Sequence, residues 1–219
     1  MIKTEDLFVR FSDGSGIRYR DMCFDTGRSY ALLGASGVGK STFLNLISGV
    51  LTPAEGRVTV DGEAVSALPQ KARDLYRIRR VGYIFQDFKL LEDMTVQDNL
   101  NLLRLEGVDT AQMDALLNRL GILRLKKRRV NRLSGGEKQR VAIARALIKK
   151  PAIILADEPT GNLNYETGVE VVKTLLLNAG EGTLIAVTHD DRLAPMFDER
   201  MDMNAVAEWI PGGEARQHA

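Results

Sequence analysis

One stretch of eight residues, Gly34-Ala-Ser-Gly-Val-Gly-Lys-Ser41, fits the pattern G-x-x-x-x-G-K-[ST] in full. The pattern is typical of loops that bind nucleotide phosphates, because glycines let backbone N–H groups turn toward phosphate oxygens. Lys40 would bring a positive charge to the β- and γ-phosphates, and the Ser41 hydroxyl would bind Mg²⁺. The predicted nucleotide-binding residues here are Gly34, Ala35, Ser36, Gly37, Val38, Gly39, Lys40, Ser41 and Thr42.

The residues on both sides of this loop fit the local structure that such a loop requires. Residues 29–33 are an apolar run of the length of a buried strand. In the segment that follows, Phe43, Leu44 and Ile47 have helical spacing. A strand, a glycine loop and a helix in this order place the positive end of the helix at the phosphates. A glycine-rich turn that contains a lysine by chance would explain neither flank.

The composition limits the other functions that are open to the chain. Its 219 residues suit one well-buried domain with at most a subdomain, and its formal net charge of +1 gives no electrostatic argument for binding nucleic acid. Cys23 is the single cysteine, so we expect no disulfide partner. The first residues do not resemble a secretory signal, and no apolar run approaches about 18 residues. Any role at a membrane would therefore come through a partner.

The apolar runs predict a sheet that is interrupted by a helical segment. Runs at 81–85, 152–156 and 183–187 resemble buried parallel strands, and 7–11, 17–24 and 57–60 also resemble strands. Helical patterns occupy 96–105, 110–120 and 134–149. We therefore expect an α/β fold with a mixed sheet core and an N-terminal antiparallel β subdomain. An α-helical subdomain at about 87–150 would be inserted into a core of residues 1–86 and 151–219.

Two carboxylates, Asp157 and Glu158, follow one of the predicted strands and precede Pro159. Acidic residues at the C-terminal end of a parallel strand lie where α/β proteins bind ligands. Asp157 would help to bind Mg²⁺, and Glu158 could act as the general base for a water that attacks the γ-phosphate. On these residues alone, the three could instead begin a helix.

Ser134 and Glu137 form the pattern S-x-x-E directly before a strong helical pattern, which predicts a capping box. Gly135 and Gly136 would leave the N–H groups of the first helical turn accessible. A positive helix start that carries a serine hydroxyl is suited to binding phosphate. As an isolated feature, it is more often a plain helix cap.

Together, three motifs resemble those of the ATP-binding-cassette (ABC) ATPases. They are the phosphate loop, the stretch Leu133-Ser-Gly-Gly-Glu-Lys-Gln-Arg140 at the place of the family's signature motif, and the Asp157-Glu158 pair. The resemblance covers essentially the whole chain. It implies a P-loop NTPase fold in which residues 1–219 form a single ABC ATPase domain. It also implies hydrolysis of ATP, with ATP and Mg²⁺ as the bound cofactors.

The resemblance assigns roles to four further residues. Gln86 is at the position of the family's Q-loop, which contacts the metal and the γ-phosphate, and His189 is at the position of its switch histidine. Phe11 is at the place of the aromatic residue that stacks on adenine. Asn164 ends the D-loop, residues 161–164, where the family usually has Asp. Asn keeps the size and one acceptor but loses the charge, which puts the hydrolysis rate and subunit coupling in doubt.

Simpler interpretations stay open for three of these positions. Gln86 could be a solvated loop amide, and His189 could be structural. Phe11 could belong to the core, and Tyr19 would then be a possible substitute beside the base.

The family's mechanism implies a head-to-tail homodimer in which two ATP molecules lie between the phosphate loop of one copy and the signature motif of the other. The predicted catalytic residues are Lys40, Gln86, Glu158 and His189. The predicted metal ligands are Ser41, Gln86 and Asp157. The nucleotide would also contact Phe11 and Asp157 and, across the dimer, Ser134, Gly135, Gly136 and Asn164.

The resemblance also implies integral membrane permease subunits as partners, and hence a peripheral position at the cytoplasmic face of the membrane. We expect docking near the region between Gln86 and Leu105, whose apolar residues could equally be core. A soluble ABC machine is the less favoured class, because the chain has one cassette and no heptad run long enough for a coiled coil. A GTPase is also disfavoured, since no N-K-x-D motif is present.

Two segments, 82–91 and 156–163, are similar to one subgroup of ABC ATPases. It includes macrolide-efflux, lipoprotein-release, haem-efflux and cell-division members. The similarity implies mechanical force transmitted across the membrane. A cell-division-type member would instead regulate a cell-wall hydrolase through its membrane partner, without transport.

Overall fold

Eleven strands and seven α-helices form the regular structure of residues 1–212, the part of the chain that this computed structural model describes. The strands are β1 (Ile2–Arg10), β2 (Gly16–Tyr19), β3 (Met22–Phe24), β4 (Ser29–Leu33), β5 (Glu55–Val60), β6 (Glu63–Ala64), β7 (Val81–Ile84), β8 (Ile153–Asp157), β9 (Thr183–Val187), β10 (Glu199–Asp202) and β11 (Ala207–Ile210). The helices are α1 (Lys40–Ile47), α2 (Gln70–Arg80), α3 (Val96–Asn101), α4 (Met113–Arg119), α5 (Gly135–Leu147), α6 (Tyr165–Asn178) and α7 (Met203–Val206).

A parallel sheet in the order β10-β4-β9-β8-β7 forms the centre of the molecule. Its inner strands are mostly apolar, with polar residues at their ends, because both faces are covered. Ile154 and Ala186 belong to one core cluster with the helices α5 and α6, whereas Leu155 and Ile185 belong to a second cluster with α1 and the antiparallel sheet. Since all five strands run in one direction, their C-terminal ends meet at one edge of the sheet.

The antiparallel strands form a separate sheet in the order β11-β2-β1-β5-β6, and β3 also pairs with β1. The prediction of one strand at 17–24 is wrong, because this segment is two strands that pair with different parts of β1. Asp6 lies between those parts in the left-handed region, with φ of 50°, and its N–H donates to the Asp21 carboxylate. This side-chain hydrogen bond replaces the ladder at that point.

The segment between β7 and β8 contains α3, α4 and α5, together with three short 3₁₀ helices. The helix predicted at 96–105 is α-helical only as far as Asn101, and a 3₁₀ helix, Leu102–Glu106, continues it. Apolar side chains from this segment pack into the same core cluster as α6 and one face of the parallel sheet. The proposed division at 87–150 remains a prediction. Within residues 1–212, no helix is long and apolar enough to cross a membrane.

Candidate functional site

The phosphate loop connects β4 to α1, and its shape depends on glycine. Gly39 has φ of 102°, in the left-handed region, and a Cβ on it would lie 2.7 Å from the Tyr19 hydroxyl oxygen. That hydroxyl donates to the Gly39 carbonyl at 2.8 Å, and the Tyr19 ring is buried. Tyr19 is therefore buried against the loop and supports its backbone. Of the two candidate aromatic residues, Phe11 is the better placed to contact a nucleobase.

Lys40, the first residue of α1, points back into the loop. Its Nζ donates to the carbonyl oxygens of Gly34 at 2.7 Å and Ala35 at 3.0 Å. The same ammonium lies 3.8 Å from Glu158 Oε1, and the Lys40 side chain is only 7% exposed. A nearly buried positive charge is thus held at the place where a nucleotide's phosphates would enter.

Ser41 and Asp157 meet at the end of β8. The Ser41 hydroxyl donates to Asp157 Oδ1 at 2.9 Å. Burial raises the pKa of the Asp157 carboxyl, an effect that the Ser41 hydrogen bond and the Lys40 charge oppose. Because the ionised form of Asp157 is destabilised by burial, a cation bound beside it would be stabilising.

Glu158 and His189 form a pair above this edge of the sheet. Glu158 has φ of 47°, and its N–H donates to the Val187 carbonyl at 3.0 Å. Its carboxylate is 13% exposed, and Oε2 lies 2.8 Å from Nδ1 of the His189 side chain, which is 64% exposed. Residues other than glycine rarely adopt this backbone conformation, so the surrounding structure stabilises it. The turn orients the carboxylate of Glu158 toward both Lys40 and His189.

Lys40, Ser41, Glu158 and His189 line one cavity of about 510 Å³. It is lined by Phe11, Ile17, Ser36, Gly37, Gly39, Lys40, Ser41, Thr42, Gln86, Glu158, His189 and Trp209. Trp209 is absent from the sequence-based predictions. The sequence shows only that this is the chain's single tryptophan, and its position beside Phe11 depends on a strand pairing between distant parts of the chain. Gly34 and Ala35 line a neighbouring cavity that also includes His189.

Gln86 is tied to the D-loop as well as to the cavity. The Asn162 side chain donates to the Gln86 carbonyl at 3.0 Å, and a Cβ on Gly161 would lie 3.2 Å from Gln86 Nε2. The structure therefore brings the predicted Q-loop and D-loop into contact within one chain.

The signature motif and Asn164 lie outside this cavity in the described part of the chain. Ser134 caps α5 in a capping box with Glu137, as the sequence pattern predicted. Asn164 caps α6, and its side chain accepts from the Thr167 N–H at 2.9 Å. The two helix starts pack together, since a Cβ on Gly136 would lie 2.8 Å from Thr167 Cγ2. An amide oxygen can serve as this cap as a carboxylate would, so Asn164 preserves the local structure without the charge.

Comparison with known proteins decides the family. The family described as "ABC transporter" matches residues 18–161. The chain belongs to this ABC transporter family. As an ABC protein it resembles the ABC transporter ATP-binding protein YtrE of Bacillus subtilis, with 40% identity over 185 residues that cover 81% of this chain and 80% of YtrE. It is also 40% identical over 218 residues to the lipoprotein-releasing system ATP-binding protein LolD of Xanthomonas euvesicatoria, covering 93% of this chain and 88% of that protein.

Solved structures agree with this family. The ATP-binding cassette MJ0796, dimeric in a post-hydrolysis state and bound to ADP and Pi, matches with a TM-score of 0.79 and 31% identity, covering 92% of this chain and 94% of that chain. CbiO1 of Clostridium perfringens, part of the ABC transporter complex cbiONQ, matches with a TM-score of 0.83 and 31% identity, covering 92% and 83%. The predicted P-loop fold is confirmed, and this ABC protein is an ATP-binding ATPase.

Proposed function

We propose that two copies of this ABC ATPase bind two ATP molecules head to tail and use their hydrolysis to move membrane permease subunits. The observation that carries the proposal is the meeting of Lys40, Glu158 and His189 at one sheet edge beside the phosphate loop. A carboxylate that contacts both an ammonium and an imidazole fits the hydrolysis of a phosphoanhydride. The dimeric state of MJ0796 supports the arrangement.

Lys40 and Glu158 would divide the chemistry between them. Lys40, now bonded to two carbonyl oxygens of its own loop, would transfer its hydrogen bonds to the β- and γ-phosphate oxygens. Glu158 would accept the proton of the water that attacks the γ-phosphorus, and His189 would hold the carboxylate in position. The low exposure of Lys40 and Glu158 strengthens both interactions.

The oxygen groups around Asp157 fit Mg²⁺. This ion prefers hard oxygen ligands and keeps several waters, so few protein side chains are needed. The Ser41 hydroxyl and the Asp157 carboxylate are already in contact, and Gln86 lines the cavity that includes Ser41. Mg²⁺ would neutralise charge on the phosphates. Burial destabilises the ionised form of Asp157 and raises its pKa, and a bound cation would offset this effect, which supports the assignment.

The start of α5 would close the site from the second copy. Its first-turn N–H groups and the Ser134 hydroxyl would donate hydrogen bonds to the γ-phosphate. Because ATP would bridge Lys40 of one copy and Ser134 of the other, its cleavage removes the contact that joins them. Gly135, Gly136 and Asn164 would line the same interface from the second copy.

A Ser134→Arg variant tests the dimer directly. The longer, charged side chain at the α5 start should block closure, and we expect monomer at all MgATP concentrations by light scattering. ATP binding to the monomer should be unchanged, because Ser134 lies outside the cavity that holds Lys40. Ala115→Arg, which adds the same side chain at an exposed position on α4, serves as a control that should still dimerise. An ATP-dependent dimer of the Ser134 variant would contradict the proposed sandwich.

For the membrane partner, we propose permease subunits that transmit force, with this protein at the cytoplasmic face of the membrane. The similarity to LolD, named as part of a lipoprotein-releasing system, supports this assignment. A groove of about 410 Å³ lies beside the predicted docking segment. It is lined by Leu75, Ile78, Arg79, Glu106, Gly107, Val108, Asp109, Gln112, Ile148, Lys149 and Lys150. Leu105, next to the groove in sequence, is 87% exposed. We assign permease docking to this groove and to the exposed apolar residues of the predicted docking segment, which are Leu91, Met94 and Leu105.

Replacing Leu75 with glutamate tests the groove. Leu75 is 48% exposed, so the variant should fold. A docked segment would bury the new charge without a partner, at a cost of about 3–5 kcal/mol, or more than a hundredfold in affinity. We expect loss of permease co-purification from membranes while ATP affinity is unchanged. The control is Leu177→Glu, since Leu177 is exposed on α6. Equal recovery of permease with both variants would argue against the groove.

A further inference from the structure

Two aromatic rings lie next to each other in the lining of the proposed nucleotide cavity. The rings of Phe11 and Trp209 are stacked, with centroids 5.7 Å apart and planes inclined by 23°. Both line the cavity that contains Lys40 and Glu158. Phe11 has a predicted role beside the nucleobase, whereas Trp209 has none.

Strand register explains why Trp209 faces the cavity. In the pairing of β11 with β2, Trp209 lies directly opposite Ile17, so the two side chains share a face of the sheet. Ile17 points toward the phosphate loop, because a Cβ on Gly39 would lie 2.8 Å from Ile17 Cδ1. The same face must therefore carry the Trp209 indole toward the nucleotide site.

The Phe11 backbone is held in a turn before any ligand binds. The Phe11 N–H donates to the Ser15 carbonyl at 2.8 Å, and its carbonyl accepts from Gly14 at 3.1 Å. These bonds close the turn between β1 and β2. Trp209, the chain's single tryptophan, in contrast leaves 55% of its surface exposed. The Trp209 indole is stacked on Phe11 and lines the cavity, and a large, accessible aromatic surface of this kind is suited to binding a planar ligand.

We propose that Trp209 is a nucleobase-binding residue that forms with Phe11 a stack of two rings against which the base packs. The proposal rests on the proposed ATP site. A base inserted between the rings would require roughly 7 Å between their planes, twice an ordinary carbon contact. The observed spacing is shorter, so the base lies on the outer face of the pair. A purine, with two fused rings, offers more stacking area to the outer ring of this pair than a pyrimidine does.

Calorimetry on the full chain separates base binding from phosphate binding. For Trp209→Ala we expect MgATP binding weaker by about five- to tenfold, the low end of what loss of a base–aromatic stack costs. Binding of magnesium tripolyphosphate, which has no base, should be unchanged. Trp209→Phe should retain most of the ATP affinity. Ile210→Ala, next on β11 and opposite Gly16, is the matched control and should bind ATP as the wild type does.

The wild-type protein gives a second readout that requires no variant. Because Trp209 is the single tryptophan, MgATP should quench the tryptophan emission at saturation and tripolyphosphate should not. Unchanged emission with ATP bound, or equal ATP affinity for Trp209→Ala and wild type, would overturn the role of Trp209. An equal loss of tripolyphosphate affinity would also overturn it, since the effect would not involve the base. Absence of ATP binding by the wild type would instead refute the proposed nucleotide site as a whole.

Discussion

Replacing Glu158 with glutamine is expected to slow ATP turnover by about two to four orders of magnitude, the usual contribution of a general base. ATP affinity should remain near that of the wild type. Glutamine has the size of glutamate and can still contact His189, but its amide cannot accept the proton of the attacking water. The effect should therefore appear in kcat and not in nucleotide binding.

The same variant should also favour the closed dimer. If ATP joins two copies, slowing its cleavage prolongs the joined state. We expect light scattering to show a dimer of the Glu158→Gln protein with MgATP, and monomers with MgADP. Glu63→Gln, at an exposed position in β6, is the control and should keep wild-type turnover. Turnover near the wild-type rate in Glu158→Gln would show that another group activates the water.

The part of this site that sequence could predict is the part built from short segments. The positions of Lys40 and Ser41 follow from a loop of eight residues, and Asp157 follows from an apolar run that ends in acids. Parallel strands place these groups at the same edge by a general rule. The contact of Ser41 with Asp157 is a direct consequence.

What sequence could not predict depends on pairings between distant segments. The register of β11 on β2 brings Trp209 beside Phe11, and no local pattern encodes that register. The break between β2 and β3 has the same origin, since it follows from the Asp6–Asp21 hydrogen bond across the sheet. In the proposed sandwich, the positions of Ser134 and Asn164 relative to ATP depend on a second copy, so one chain does not reveal them.

The Lys40→Ala variant should lose measurable ATP binding, with affinity reduced at least a hundredfold. Lys40 is the positive side chain within contact of both the loop carbonyls and Glu158, and its charge is nearly buried. Without it, the phosphates would enter beside the Glu158 carboxylate with no ammonium to offset the repulsion. Calorimetry with MgATP measures the loss, and circular dichroism checks that the variant folds.

Two further variants decide what kind of contact Lys40 makes. Lys173→Ala removes an exposed lysine from α6 and should bind ATP normally, which excludes a general effect of net charge. Lys40→Arg keeps the charge, but its planar fork does not fit a site that holds a compact ammonium between two carbonyl oxygens, so binding should recover only in part. Unchanged affinity in Lys40→Ala would place the phosphates elsewhere. Because the closed dimer requires ATP held on this loop, that result would remove the physical basis of the sandwich as well as of the nucleotide site.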